Sequence, residues 1–499
     1  MVGALHAFAD ALGPDALLTS ADDLRAHRDP YSFAGSDDFT ASAVVLPATV
    51  EQVRAVVRIA NEHRVPLWTF SQGRNNAYGG PAPRVSGSVL VSLRRMDRVL
   101  EVNQELAYAL VEPGVRFFDL YEAVRSAGHR LWISVPDLGW GSVVGNALDH
   151  GRGFTPYGDH AGSQCGMEVV LANGDVLRTG MGAMSGSRAW QVYRRGFGPS
   201  PDGLFMQSNF GIVTKMGVWL MPQPECYLSG WVRVRDDADL GPLIDALRPL
   251  LLDHTIPNHP LIGGPAGANA LEVAEPGRWN MRFALYGREP VVDAQFAAVR
   301  SAFSVIRGAS FGGTKYAGDQ AWEAGPAGDR VQAGVRGMDI LELVRRRGGE
   351  HGGHLDFSPV CPLTGRDVTA LCGLMRSLAE RHGVAYSPGL IASPRSVVHV
   401  LPMIFDTSDE AETRRAYELY ELLVTEVARA GYGLYRAHLR FMDLVAEQYD
   451  FNDHAQRRFN QTLKDALDPN GILSPGKQGI WPSLASRGGG GRPRRPEGG

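Results

Sequence analysis

The chain has 499 residues, 44% of them hydrophobic, and its 50 basic and 54 acidic side chains give a formal net charge of -4. This length favours two lobes over a single core, and the slightly acidic balance leaves no broad basic face for nucleic acid. The four cysteines lack the paired spacing of a zinc or disulfide framework, and no signal peptide or apolar run of about 18 residues occurs, so a cytoplasmic protein without a membrane partner is expected.

A strand–helix–strand unit with a glycine-rich connection is predicted near the N-terminus. Thr49 and Gln52 form a capping-box pattern that begins a helix with one apolar face. The predicted elements are a strand at 41–47, a helix through Val53, Val56, Val57 and Ala60, a strand at 66–70, the loop 71–80 and a strand at 87–93.

Further strands complete this first lobe. They are predicted at 107–113, 167–180 and 211–222, and Asn173–Gly174 is a hairpin-turn signal within the second of them. Residues 1–228 are therefore expected to form one α+β nucleotide-binding lobe.

The pattern changes from residue 229 onward. Long helical patterns alternate with strands, which predicts a second α+β domain over 229–431. Its predicted helices are 291–306, 366–383 and 410–431, and its clearest strands are 282–287 and 397–405. Residues 458–479 predict a terminal helix with a tight exit, and the glycine- and proline-rich stretch 486–499 predicts a disordered tail.

Two glycine-rich stretches could bring backbone close to an extended ligand. The loop 71–80 follows a strand, and the stretch 137–153 combines five glycines with Ser142 and Asn146. Glycine supplies the dihedral angles and the space that a diphosphate-binding backbone needs. The G-x-G-x-x-G fingerprint is missing from the chain, which argues against an ordinary NAD dehydrogenase.

Several long sequence blocks carry a family resemblance. They include SQGRNNAYGGPAPRVSGSV, SVPDLGWGSVVGNALDHGRGFTPYGDH, GMEVVLANGDVLRTGMGAM and DPNGILSPGKQGIWPS, and they occur in order over nearly the whole chain. The chain resembles the flavoprotein family of vanillyl-alcohol oxidase and 4-cresol dehydrogenase, and within it most closely the bacterial eugenol oxidases. The resemblance implies an α+β fold in which FAD-binding segments 1–228 and 432–485 enclose a cap domain at 229–431.

The same resemblance implies a set of residues around FAD. Lys477, in the PGK turn, could lie near the cofactor or could equally be a solvated surface lysine. The residues implied at the cofactor are Gly73, Arg74, Asn75, Asn76, Pro136, Gly141, Ser142, Gly145, Asn146, Ile212, Val213 and Lys477.

His354 aligns with the family's histidine that is bonded to the flavin 8α-methyl group. Covalent 8α-histidyl FAD is therefore expected, since a neutral imidazole nitrogen can act as the nucleophile. The alternative is that HGGH at 351–354 is a metal pair or a polar loop, but two histidines without nearby acids or cysteines make a poor metal site, and no metal is expected. Tyr31 stands where vanillyl-alcohol oxidase has a histidine that assists this attachment.

Three residues match the family's phenol-binding group. Tyr78, Tyr435 and Arg436 would hold the substrate as phenolate, because a phenol ionises near pH 10 in water and needs a cation and hydroxyl donors to ionise near neutrality. Without the resemblance, Tyr78 would be an exposed turn aromatic and Tyr435–Arg436 a packed pair at a strand edge.

Asp137 aligns with the acid between flavin N5 and the reacting carbon. It is expected to act as a general base, activating water or taking a proton from an alcohol after hydride transfer has formed a para-quinone methide. Its alternative role is to cap the glycine turn that follows, and both can hold at once.

Asp356 is a departure from the relatives, which carry a glycine or a large aromatic residue there. If 354–358 is a strand, His354, Asp356 and Ser358 share one face, so Asp356 should lie near the para substituent and disfavour anionic tails. The alternative is a salt bridge to Arg282 or Arg395. The predicted substrate-pocket residues are Asp356, Tyr386, Gly389 and His399.

The resemblance implies an FAD-dependent oxidase of para-substituted phenols that reduces O2 to H2O2. A dehydrogenase that passes electrons to a cytochrome is the main alternative, and a flavin-binding protein without activity is a remote one. The segment 259–280 looks shorter than in relatives, and the loop that helps vanillyl-alcohol oxidase form octamers is missing between Gly180 and Arg194. A homodimer is therefore expected.

Overall fold

The structure is a computed structural model that describes residues 1–32, 38–264, 277–320 and 325–483. The predicted tail at 486–499 lies outside the described residues, as does most of the short segment within 259–280. Among the described helices, none is both long enough and apolar enough to cross a membrane.

The first part of the chain forms small sheets with helices packed on them. Its strands are β1 (Leu17–Leu18), β2 (Ala41–Val45), β3 (Leu67–Phe70), β4 (Ser88–Ser92), β5 (Val99–Asn103), β6 (Tyr108–Val111), β7 (Leu131–Trp132), β8 (Gln164–Leu171), β9 (Val176–Arg178), β10 (Gly211–Trp219) and β11 (Met221–Pro222). Its helices are α1 (Val2–Leu12), α2 (Ala21–Arg25), α3 (Val50–His63), α4 (Phe117–Ser126), α5 (Val143–Leu148) and α6 (Asp202–Phe205).

The predicted strand–helix–strand unit is confirmed. β2, β4 and β3 are parallel neighbours in a sheet of order β1-β2-β4-β3, and α3 makes the crossover. The Thr49 side chain accepts a hydrogen bond from the Gln52 backbone N–H, as an N-cap should. The Gln52 side chain bonds the backbone of Ala48 instead of that of Thr49, so the capping box is shifted by one residue.

A second sheet of order β5-β6-β10-β8-β9 completes this region. The predicted hairpin turn is confirmed between β8 and β9, where Gly174 has a φ of 85°. A positive φ is readily available to glycine, which is why this position marks the turn.

The remaining elements form a larger sheet, the helices that pack on it and the helices that follow it. The strands are β12 (Cys226–Val234), β13 (Leu261–Gly263), β14 (Trp279–Gly287), β15 (Ser310–Ala317), β16 (Gly352–Phe357), β17 (Pro359–Pro362), β18 (Gly389–Ala392), β19 (Ser396–Asp406) and β20 (Gly433–Leu434). The helices are α7 (Leu240–Leu252), α8 (Glu289–Phe303), α9 (Ala327–Gln332), α10 (Asp339–Gly348), α11 (Gly365–Arg381), α12 (Glu410–Arg429), α13 (Met442–Glu447) and α14 (Phe451–Leu467).

These nine strands form one sheet of order β15-β12-β14-β13-β18-β19-β17-β20, to which β16 is joined by pairing with β19. The apolar faces of α7, α8, α11 and α12 contribute to one buried cluster together with the sheet. The predicted α+β class is confirmed. The division of the chain at 228/229 and 431/432 stays a proposal, and β20 pairs with the cap sheet although it follows the second boundary.

The end of the chain returns to the first lobe. The backbone N–H of Leu67 in β3 donates to the Ile472 carbonyl at 2.7 Å. The predicted terminal helix and its tight exit are confirmed: α14 ends at Leu467, and the Asp468 carboxylate accepts hydrogen bonds from the backbone of Ile472 and Leu473 where the chain turns. This return places residues from both ends of the sequence around one cavity.

Candidate active site

A cavity of about 430 Å³ lies where the first lobe, the cap sheet and the returning C-terminal segment meet. The first lobe contributes loop 71–75 and the stretches 136–149 and 205–213, in part or whole. From the cap come His354 and Asp356 of β16 together with apolar residues of β18 and β19. The C-terminal segment adds Tyr435, Arg436 and Lys477.

The two glycine-rich stretches approach each other closely. A Cβ on Gly145 would lie 2.3 Å from the Ser71 hydroxyl oxygen, so a larger residue there would have to displace the Ser71 side chain. Gly73 has a φ of 62°, which also favours glycine. The Arg74 guanidinium carbon lies 4.9 Å from the ring centre of Trp140 and bridges the two stretches. Backbone is thereby exposed to the cavity on this side.

The buried His160 holds the side chain of Asn146 in place. His160 Nδ1 donates to the side-chain oxygen of Asn146 at 2.6 Å, and its Nε2 accepts from the Ser134 hydroxyl at 3.0 Å. Burial lowers the pKa of His160 to about 3, so the ring is neutral near pH 7. Asn146 lines the cavity and is held by a partner that does not change its charge near neutrality.

His354 reaches the cavity from β16. The strand alternates as predicted: Leu355 and Phe357 are buried in the core, while His354 and Asp356 line the cavity. His354 Nδ1 is buried and has no hydrogen-bond partner. Because buried polar atoms usually have partners, this nitrogen is suited to bonding a cofactor.

The Tyr31 ring packs against the His354 ring, and the two ring centres are 5.4 Å apart. The backbone N–H of Tyr31 donates to Asp29 at 3.0 Å, and Asp29 also lies 3.1 Å from Nε2 of His438. His438 is fully buried beside Tyr417, whose hydroxyl donates to the Tyr31 carbonyl. Sequence reasoning missed this Asp29–His438 pair because its members are about 400 residues apart.

Tyr78, Tyr435 and Arg436 come together at the cavity. The Arg436 guanidinium carbon lies 5.6 Å from the Tyr78 ring centre and 5.3 Å from that of Tyr435. Arg436 Nε donates to the Asp149 carbonyl at 2.6 Å, and the Tyr78 hydroxyl is 3.1 Å from the Ser358 hydroxyl. The sequence-based alternative of an exposed turn aromatic does not hold for Tyr78.

Burial dominates the electrostatics of this group. It raises the pKa of the Tyr78 hydroxyl well above 10, and Tyr435 and Asp356 raise it further while Arg436 opposes them. Burial lowers the pKa of Arg436, but the surrounding tyrosines and acids outweigh it and the net pKa is raised. Tyr78 is thus a neutral hydroxyl donor and Arg436 a permanent cation at working pH.

Asp356 lies beside this tyrosine–arginine group. Ser358, which contacts Tyr78, is two residues further along the same face, a rise of about 7 Å along a strand. Asp356 lies 3.8 Å from Nε2 of His354, and the arginine that acts on its carboxylate is Arg436, not Arg282 or Arg395. Burial raises the pKa of the Asp356 carboxyl. Asp356 thus lines the cavity as predicted, and its closeness to the para substituent stays a prediction.

The cavity lining contains most of the residues predicted from the resemblance. They are Gly73, Arg74, Asn75, Tyr78, Pro136, Asp137, Gly141, Ser142, Gly145, Asn146, Ile212, Val213, His354, Asp356, Tyr435, Arg436 and Lys477. Lys477 Nζ is 3.9 Å from the Asp149 carboxylate and is only partly exposed, so it is not a free surface lysine.

Four predicted site residues are absent from that lining. Asn76 bonds the Tyr31 hydroxyl next to the cavity. Tyr386 and His399 form a buried pair, with the Tyr386 hydroxyl 2.9 Å from His399 Nε2. Gly389 pairs with Val400 at the start of β18. Contrary to prediction, Tyr386 and His399 lie outside the cavity lining, because they pack towards the helices of the cap. Gly389 shares its sheet face with Ile391 and Val400, which line the cavity, so its place in the substrate pocket stays a prediction.

Two residues that hold the surroundings of the cavity in place gave no signal in the sequence. Gln207 adopts a positive φ of 46° and its side-chain amide donates to the Tyr435 carbonyl at 2.6 Å. Lys464 is fully buried, 2.7 Å from Asp468, and donates to two backbone carbonyls. Only the i, i+4 spacing of Lys464 and Asp468 could have suggested this pair. Within the described ranges, no group of three His, Cys, Asp or Glu side chains could hold a metal ion.

Glycine-rich backbone beside a buried imidazole defines the class of protein as one built to hold a large cofactor. Residues 41–180 match the family described as FAD binding domain, and residues 340–478 match the C-terminal domain of FAD linked oxidases. FAD is therefore the cofactor.

The chain is also similar to proteins over its full length. It is 37% identical to the flavoprotein subunit of 4-cresol dehydrogenase [hydroxylating] from Pseudomonas putida, covering 96% of this chain and 95% of that protein. The solved structure of 4-ethylphenol oxidase from Gulosibacter chungangensis in complex with isoeugenol matches with a TM-score of 0.90 at 37% identity over 97% and 98% of the two chains.

A third match is p-cresol methylhydroxylase with substrate bound, with a TM-score of 0.87 at 36% identity over 96% of this chain and 97% of that one. The chain belongs to the vanillyl-alcohol oxidase and 4-cresol dehydrogenase family of FAD-dependent oxidoreductases.

Proposed function

We propose that this protein is an oxidase of para-substituted phenols with FAD bonded covalently to His354. The observation that carries the proposal is the convergence of Tyr78, Tyr435 and Arg436 on the cavity that His354 lines. Relatives named for 4-cresol, 4-ethylphenol and p-cresol support the substrate class. Eugenol, vanillyl alcohol and 4-alkylphenols are the candidate substrates.

The residues present fit the cofactor. His354 Nδ1 is buried without a partner, and glycines expose backbone where a diphosphate must approach. Arg74 and Lys477 would add positive charge beside that backbone. When bound, FAD supplies the hydride acceptor for oxidation at the carbon attached to the ring.

The phenol is held by the tyrosine–arginine group. Arg436 offers a cation in a desolvated site, and neutral Tyr78 offers a hydroxyl donor, so the substrate ionises more readily here than in water. The phenolate oxygen then donates electron density into the ring. Loss of a hydride from the ring-attached carbon gives a para-quinone methide.

Asp137 is the general base in this proposal. It lines the same cavity next to Pro136. Its carboxylate would take a proton from an alcohol substrate or from the water that adds to the quinone methide. The first yields an aldehyde or ketone, and the second a hydroxylated product.

O2 is the proposed electron acceptor and H2O2 the second product. The rival acceptor is a cytochrome, which the name of the Pseudomonas putida relative, a dehydrogenase flavoprotein subunit, favours. The enzyme should be reduced with 4-ethylphenol under argon and then mixed with air-saturated buffer. Re-oxidation within one turnover time, with one peroxide per phenol, supports the oxidase. Re-oxidation only with added cytochrome c supports the dehydrogenase, and no reduction at all refutes both.

The covalent bond is tested separately. Denatured wild-type protein should retain yellow flavin fluorescence on the polypeptide in a gel, and His354→Ala should release all of it. We also propose a homodimer, which light scattering would show as twice the mass of the chain.

A further inference from the structure

Four cationic side chains line the cavity: Arg74, Arg152, Arg436 and Lys477. Arg436 has the phenol oxygen to bind, and Arg74 and Lys477 lie on the stretches assigned to the cofactor. Arg152 has no assigned role.

The contacts of Arg152 leave it available. Its Nη1 lies 3.7 Å from the carboxylate of Asp159, too far for a hydrogen bond, and the Asp159 side chain is half exposed. The same Asp159 oxygen accepts a hydrogen bond from the Gly162 backbone. Only 21% of the Arg152 side chain is exposed, and its Nε is buried and has no hydrogen-bond partner. A buried guanidinium donor of this kind is normally satisfied by an acceptor.

The stretch that carries Arg152 meets the cap. Phe154, which also lines the cavity, accepts a hydrogen bond at its carbonyl from Asn258 of the cap. A Cβ on Gly158 would lie 2.6 Å from the His259 ring, so the turn after Phe154 is pressed against the cap as well. Arg152 thus lies where the first lobe and the cap close over the cavity.

We propose that Arg152 binds a carboxylate on the para substituent, so that the preferred substrates are 4-hydroxyphenyl compounds with a short anionic side chain. This rests on the proposed phenol oxidation. The planar guanidinium fork matches a carboxylate in geometry as well as charge. The phenol oxygen is at Arg436, so a second anion on the same molecule must come from the other end of the ring.

The position of Asp356 removes the main objection. The sequence had suggested that Asp356 would repel anionic tails, but this residue lies two strand positions from the Tyr78–Ser358 contact. It also lies within the influence of the Arg436 cation, which offsets part of its charge. The repulsion of an anionic tail by Asp356 is thereby reduced, and Arg152 can bind such a tail.

The test compares two substrates of nearly equal size in wild type and in Arg152→Met. The substrates are 3-(4-hydroxyphenyl)propanoate and the neutral 3-(4-hydroxyphenyl)propan-1-ol. We expect Arg152→Met to lower kcat/KM for the carboxylate by roughly 10- to 100-fold, typical of a hydrogen bond to a charged group, and to change that for the alcohol less than about threefold. Arg152→Lys should recover part of the loss. Arg195→Met is the matched control, since it removes an exposed arginine outside the cavity.

An unchanged ratio of the two specificity constants would overturn the proposal, and so would an equal loss for both substrates, which would assign Arg152 to the cofactor or the fold. If wild type oxidises neither compound nor 4-ethylphenol, the proposed function fails. Calorimetric binding of the propanoate to wild type and to Arg152→Met then decides the proposal alone: a loss of affinity in the variant supports it, and equal affinities overturn it.

Discussion

The two sides of the cavity are built in different ways. The side assigned to FAD consists of backbone brought close by Gly73 and Gly145, with neutral His160 holding Asn146. The side assigned to the phenol consists of side chains whose charges are buried, above all Arg436. Apart from the glycines themselves, backbone contacts depend little on single side chains, whereas the buried charge of Arg436 comes from one side chain. The difference teaches that single substitutions should separate catalysis from cofactor retention.

Asp137→Asn should have the largest effect. The amide keeps the shape of the side chain but cannot accept the proton, so turnover of aryl alcohols should fall by roughly 10²–10⁴-fold, the range of general acid–base groups. FAD content and the Kd of a phenol inhibitor should stay close to wild type, because neither needs the base. Steady-state oxygen consumption measures the first and flavin absorbance titration the second. Turnover close to wild type would remove Asp137 from the mechanism.

Arg436→Ala should come next. Removing a buried cation leaves the phenolate without its counter-charge, and such losses are worth about 2–5 kcal/mol, or on the order of 10²–10³ in kcat/KM. Arg436→Lys is the control, since it keeps the positive charge but loses the hydrogen bond from Nε to the Asp149 carbonyl. Its kcat/KM should lie between those of wild type and Arg436→Ala. Rapid-reaction reduction with 4-ethylphenol measures the effect. Equal rates for all three proteins would place the phenol oxygen elsewhere.

The comparison of the two sides also explains what could be predicted from the sequence. Glycine-rich stretches and the alternation of β16 are local patterns, so the loops and the shared face of His354 and Asp356 were predicted correctly. The pocket assignment of Tyr386 and His399 failed because it depended on which side of the cap sheet faces its helices, a tertiary property. The Asp29–His438 pair is non-local for the same reason.

Asp356→Asn should have a smaller effect, and it should increase the affinity for phenols. At pH 8 an ionised Asp356 about 7 Å from a phenolate repels it by roughly 2 kcal/mol at an effective dielectric of about 20, so the variant should bind phenols up to about 30-fold more tightly. Burial raises the Asp356 pKa, so protonation removes the repulsion as pH falls and the gain should shrink at pH 5. Inhibitor titrations at both pH values measure it. A gain that is equal at both would show that charge is not the cause.

Substitution of His399 should have the smallest effect on the cavity, because this residue lies on neither the FAD side nor the phenol side. Burial lowers its pKa from 6.5 to about 3. Because the folded pKa is depressed, the unfolded chain takes up a proton first as pH falls. The stabilising contribution is thus fully present above pH 6.5 and is lost as pH falls from 6.5 towards 3. Between pH 7 and 5 this single histidine should account for about 2 kcal/mol of the decrease in unfolding free energy.

His399→Gln should reduce that decrease by about the same amount, whatever it does to stability at pH 7. Urea unfolding at pH 7, 6 and 5 gives the three values to compare. His6→Gln is the control, since His6 is exposed on α1 and its removal should leave the pH dependence unchanged. If His399→Gln loses stability between pH 7 and 5 as steeply as wild type, His399 is already protonated in the folded protein. The hydrogen bond between Tyr386 and His399 would then be donated by the imidazole N–H to the tyrosine oxygen.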